Sequence, residues 1–210
     1  MDRRAAIASY RLGFGGLTIA AIATQLIDLA GKGSLNPVSY FSYFTIEANL
    51  ISTVVLLVGA ARWRSARSNG FDLVRGGAVV YMTVTGIVFT LLLSGTDVDT
   101  AIPWVNTVVH QLMPIVLVVD WLLDPPERRL TMRQGLLWLS YPAVWLVYIL
   151  IRGALVNLYP YPFLNPANGG YGSVVVYCVG IFVILTLVCA AMVGLANAAG
   201  DRRSSPMPDA

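Results

Sequence analysis

Apolar runs long enough to cross a bilayer recur six times along this chain, with only short loops between them. A bilayer core takes about 20 residues of helix. Inside it every backbone N–H and C=O must be bonded within the protein, which drives each run into a helix. The runs cover 9–30, 37–61, 76–93, 103–123, 134–152 and 173–196. The expected fold class is therefore all-α, a polytopic membrane bundle of six transmembrane helices. One domain, 1–199, would hold all six, and a disordered tail, 200–210, would follow. Composition agrees. Hydrophobic residues make up 57% and charged residues 12%, against about 45–50% and 25% in soluble domains.

The few charges are unevenly placed. Arg3 and Arg4 open the chain, and Arg62, Arg64, Arg67 and Arg75 follow the second run. Arg128, Arg129 and Arg133 follow the fourth, and Arg202 and Arg203 lie in the tail. The third loop carries Asp97 and Asp99 and no basic residue. Basic loops stay on the cytoplasmic side, so both termini are expected there. The net charge of +3 then reads as a topology signal, and no nucleic-acid partner is expected. Arg11 is expected to snorkel to the interface, and Asp120 to pair with Arg128 or Arg129 there. Cys178 and Cys189 lie eleven residues apart in one run. That is roughly 16 Å of helix rise, too far for a disulfide.

Two segments break the apolar pattern. Phe44-Thr-Ile-Glu-Ala-Asn49 begins one run, and Trp104-Val-Asn-Thr-Val-Val-His110, with the only histidine, begins another. Polar groups in lipid are costly and mark function by default. If helix starts at Pro37 and Pro103, Thr45 and His110 lie about 12 and 10 Å into their spans, at matching depth in the outer leaflet. Thr45, Asn49 and Ser52 share one helical stripe, and Asn106 and His110 share another. Pro114 frees the His110 carbonyl and is expected to kink its helix. Asp28, Glu47 and Arg152 would join the same layer as a supporting polar cluster. Glu47, about 200° round from Thr45, would pair with Arg152 or lie near Asp28. The aromatic stripe Trp138, Tyr141, Trp145 and Tyr148 reads as interhelical packing, and the proline-rich run from Leu158 to Pro166 as a loop ordered against the bundle mouth.

A threonine hydroxyl becomes a nucleophile when a neighbour removes its proton, and neutral imidazole does this near pH 7. Thr45 and His110 are therefore the candidate catalytic pair, with the Asn49 or Asn106 amide holding an oxyanion. A site in the outer leaflet would take an amphiphilic substrate from the bilayer, which favours acyl esters. The competing reading is helix packing, with Thr45 bonding its own i−4 carbonyl and the asparagines bonding across helices. One histidine and no cysteine pair argue against a structural zinc site and against bis-histidine haem. No phosphate loop or Gly-x-Ser-x-Gly elbow is present. No metal and no cofactor are expected.

The run Pro103-x₂-Asn106-x₃-His110, with Trp104 inside it, resembles the androgen-induced protein family of six-span membrane proteins. Pro114 and Tyr159-Pro-Tyr-Pro-Phe163 look like those of its bacterial relatives. Its enzymes are threonine hydrolases of fatty acid esters of hydroxy fatty acids. The resemblance implies Thr45 as nucleophile, His110 as its partner and a lipid ester substrate. The chain differs from the family at Thr107, where a second histidine is usual, and at Ile46-Glu47, where apolar residues are usual. Two other readings remain open: a small-solute or proton-coupled transporter, and a non-catalytic lipid-binding protein.

Overall fold

The computed structural model describes residues 2–66, 68–94 and 102–204. Arg67, the acidic third-loop residues Asp97 and Asp99, and the end of the tail, 205–210, lie outside them. The described residues are all-helical, and six helices are long and apolar enough to cross a membrane.

The first span is α1 (Arg3–Gly31), capped by the Asp2 carboxylate on the Arg4 N–H. A one-turn helix, α2 (Pro37–Tyr40), follows, and the second span is α3 (Phe44–Ala61). The third is α4 (Asn69–Val88) with a π turn at Phe89–Leu93. The fourth is α5 (Pro103–Thr107), a π turn at Val108–Leu112, and α6 (Met113–Leu123). The fifth is α7 (Met132–Leu136), a 3₁₀ turn, and α8 (Ser140–Val156). The last is α9 (Gly170–Ser204). α4 sits centrally, packed on α3, α6 and α9, while α1 packs on α3. α1, α8 and α9 turn side chains such as Ile27, Leu155 and Val176 outward, each more than two-thirds exposed. Apolar faces of that extent call for lipid around them.

Three boundaries differ from the expected ones. The second span begins at Phe44, because Ser42 breaks the run from Pro37. Its carbonyl accepts from Trp145 Nε1 at 3.1 Å and its hydroxyl meets Tyr148 at 3.0 Å. Thr45 thus sits in the first turn of α3, and the 12 Å depth counted from Pro37 does not apply. The third span begins at Asn69 rather than Gly76, because Ser68 Oγ caps it by accepting from the Phe71 N–H. The tail expected to be disordered from 200 is helical as far as Ser204. Asn197 exchanges two 2.9 Å bonds with the Leu130 backbone, and Arg129 pairs with Asp201, which anchors this end of α9.

Starting α4 early carries Arg75 into the bundle. Arg75 and Asp120 are fully buried, and Arg11 is 4% exposed. Arg11 Nε donates to Asp120 at 2.6 Å and its Nη2 to Asp124 at 2.9 Å. Arg75 reaches Asp120 at 3.3 Å, Asp124 at 3.5 Å and Asp72 at 3.7 Å. Its guanidinium also lies over Trp121, 5.0 Å from the ring centroid. Arg11 therefore does not snorkel, and Asp120 does not pair with Arg128 or Arg129. Asp72, Asp120 and Asp124 thus face the two buried arginines, and that mutual pairing offsets the cost of desolvating the charges.

The π turn answers Pro114. Proline lacks an N–H, and the widened turn accommodates the gap. Gly86 faces the proline ring, and a Cβ there would stand 3.0 Å from it. Gly153 plays a similar part, for a Cβ would overlap the Tyr159 ring. Gly153→Ala is expected to cost about 1–3 kcal/mol by overpacking. A thermal melt in detergent checks it, and an unchanged midpoint would show that this loop gives way freely.

Candidate functional site

Among the described residues Thr18, Thr24, Thr53, Thr83, Thr90, Thr107 and Thr186 each bond the carbonyl four residues back. That is the packing behaviour expected of intramembrane threonine. Thr45 departs from it. At the start of α3 no helical carbonyl lies behind it, and its Oγ1 meets the Tyr161 hydroxyl at 3.3 Å. The Thr45 N–H donates to the same hydroxyl at 3.2 Å. The Tyr161 phenol thus satisfies one of the helix's unpaired first-turn amides, in a helix whose N-cap, Tyr43, supplies no side-chain bond.

Tyr161 is itself held by aromatic rings. It stacks on Phe163 at 5.3 Å and 2°, and lies within 6.0 Å of Tyr43 and Trp145. The loop expected to order against the bundle does so, with Tyr161 and Leu164 buried. Alternating prolines restrict the backbone here and aim Tyr161 inward. Burial raises the Tyr161 phenol above its usual range, against the opposing effect of the Thr45 bonds, so the hydroxyl keeps its proton at neutral pH. The sequence singled out this loop but assigned no role to Tyr161, because no spacing rule links it to a residue 116 positions away.

His110 lies in the π turn, stacked on Phe89 with centroids 4.4 Å apart. Its Nδ1 is 3.3 Å from the Asn106 carbonyl. A carbonyl only accepts, so this bond requires Nδ1–H and leaves Nε2 with the lone pair. No hydrogen bond joins Thr45 to His110 among the described residues. They share a chamber of about 320 Å³ at the end of the bundle bearing the first and fifth loops. Gln25, Asn36, Ser39 and Tyr40 add polar groups to its wall. On the other side of Thr45 lies an apolar groove of about 280 Å³, walled by Val84, Trp145, Phe163, Ile181 and Leu185 among others. Thr45 and Tyr161 are the two residues that line both spaces.

The other candidates are placed differently from expectation. Asn49 donates to the Thr45 carbonyl at 2.8 Å and the Val109 carbonyl at 3.0 Å. Both amide hydrogens are committed, so Asn49 clamps the π turn and does not hold an oxyanion. Asn106 supplies the backbone carbonyl that orients His110, while its side-chain Oδ1 is buried without a partner. Glu47 accepts from the Tyr141 hydroxyl and does not pair with Arg152. Arg152 donates to Ser39 Oγ at 3.0 Å. Asp28 is outside the cluster, bridged to Lys32 at 2.7 Å on an exposed surface. Helical spacing gives each residue's own face and leaves open which neighbour occupies it. That is why the side-chain stripes were legible and the pairs were not. No group of three or more His, Cys, Asp or Glu side chains among the described residues is placed to hold a metal ion. Set against family models, curated proteins and solved structures, the chain matches none of them.

Proposed function

We propose that this protein is an integral membrane hydrolase of fatty acyl esters, with Thr45 as nucleophile and His110 as general base. The observation that carries the reading is the position of Thr45, between an apolar groove and a polar chamber that holds His110. An ester with one long chain fits that division. The acyl chain lies in the groove, the carbonyl reaches Thr45, and the alcohol portion points into the chamber. Fatty acid esters of hydroxy fatty acids are one such class.

In the proposed cycle the Thr45 proton passes to His110 Nε2, through water in the chamber, as Oγ1 bonds the carbonyl carbon. The tetrahedral intermediate collapses, the ester C–O bond breaks, and the alcohol leaves with the proton from His110. Water activated by His110 then releases the fatty acid and restores Thr45. Tyr161, whose hydroxyl touches Oγ1, orients the nucleophile. The carrier and non-catalytic lipid-binding readings share the two spaces but need no reactive threonine. The arginine distribution supports an orientation with both termini cytoplasmic, the site opening outward, and the compact loops support a bacterial plasma membrane.

A long-chain fluorophosphonate tests the reading. It is expected to leave one covalent adduct, mapped to Thr45 by mass spectrometry and absent in Thr45→Ala. An unlabelled wild type, or an adduct on another residue, would count against a threonine hydrolase.

A further inference from the structure

At the opposite, arginine-bearing end of the bundle lies a second polar chamber, of about 370 Å³. The start of α1, the end of α3 and the second and fourth loops wall it, with Arg3, Arg4, Arg11 and Arg62 among the lining residues. Arg11 forms its floor. Asp120 and Asp124 hold Arg11 Nε and Nη2. The remaining nitrogen, Nη1, lies beside Gly59, where a Cβ would stand 3.2 Å away. It has no hydrogen-bond partner among the described residues. A buried guanidinium is thus locked in place by two carboxylates with one edge left open to the chamber.

The rim carries the same chemistry. The Arg4 and Arg62 guanidinium groups have no hydrogen-bond or ion-pair partner among the described residues, whereas the wall also carries two carboxylates, Asp124 and Glu127, of which Asp124 is taken by Arg11 and Arg75. Arg3 and Arg4 occupy the first turn of α1, which has no acidic residue. A helix N-terminus is positive and disfavours cations there; the Asp2 cap offers a carboxylate to that end, so the two arginines work in part against the helix that carries them. An anion in the chamber would relieve that conflict. Guanidinium forks match phosphate oxygens in number and geometry, and basic pockets between spans suit lipid headgroups. Arg11 lies eight residues along α1 from Arg3, about 12 Å by helical rise. A ligand touching both would have its phosphate drawn below the helix end.

We propose that this chamber binds a phosphate group, presented by an anionic glycerophospholipid or by a soluble phosphate ester. The site is separate from Thr45 and does not depend on the hydrolase reading.

Native mass spectrometry of the detergent-purified protein tests it, with phosphatidic acid and phosphatidylcholine supplied equally. Wild type is expected to retain phosphatidic acid roughly tenfold better, as charge-assisted bonds to a phosphate would give. The double variant Arg4→Gln/Arg62→Gln, whose changes are both on exposed side chains, should lose that preference. Glycerol 3-phosphate forms the second arm. If it displaces the lipid and raises the melting temperature by itself, the phosphate ester alone suffices. If it does neither, the ligand is the lipid. The proposal is overturned if wild type prefers neither lipid and glycerol 3-phosphate does not stabilise it. It is overturned equally if the double variant retains phosphatidic acid as wild type does.

Discussion

Thr45→Ala is expected to lower turnover of a long-chain ester by about 10⁴-fold or more, the scale seen when a nucleophile is removed from a catalytic unit. The loss should appear in kcat with little change in KM, because the acyl groove loses only the Thr45 hydroxyl and methyl groups and keeps the rest of its apolar lining. His110→Ala should cost about 10²–10⁴-fold, the usual contribution of a general base. The two changes together should cost no more than Thr45→Ala alone, since the base has no function without its nucleophile. Tyr161→Phe keeps the ring and its stacking on Phe163 but removes the hydroxyl that touches Thr45. It is expected to cost roughly tenfold to a hundredfold, one lost bond with a buried partner left unmatched. Wild-type turnover by either Thr45→Ala or His110→Ala would exclude the proposed pair. If Thr45→Ala is inactive and Tyr161→Phe is not, the nucleophile stands and the tyrosine is only a cap on α3.

Asp120→Ala is expected to be the most destabilising single change, at about 3–5 kcal/mol, the penalty for leaving a buried charge uncompensated. Asp120 is fully buried and receives both Arg11 and Arg75, so its loss leaves the two buried cations to the more distant or partly exposed Asp72 and Asp124. Arg129→Gln is the contrast. Arg129 also pairs with an aspartate, Asp201, but the side chains are 71% and 52% exposed. Water screens that pair, and its loss should cost less than about 1 kcal/mol. Chemical denaturation in detergent reports both. Equal midpoints for the two variants would show that the buried cluster contributes no more than a surface ion pair.

Much of the site was legible before any tertiary contact was known. Thr45 and His110 stood out because polar groups in apolar runs are costly, and the structure places both on one chamber. Their partners were not legible. Tyr161 lies in a loop, where no periodicity predicts a direction, and it reaches Thr45 only because three aromatic neighbours hold its ring. Asn49 shares a stripe with Thr45, as spacing required, yet its amide is consumed by a carbonyl from another helix. Arg75 was counted as a loop residue because hydropathy drops there. Its burial depends on Asp120, which lies 45 positions along the chain.

Amino-acid order alone determined that the chain forms six membrane-length helices, because lipid leaves an apolar run no other way to bond its backbone. It also determined where proline disturbs the fourth span, since a missing N–H is a local fact. Only the tertiary structure decided where the second span begins, which arginine is buried and what the Thr45 hydroxyl touches. Each of those rests on a bond between distant segments. Trp145 on Ser42, Arg75 on Asp120 and Tyr161 on Thr45 become available once the helices have packed.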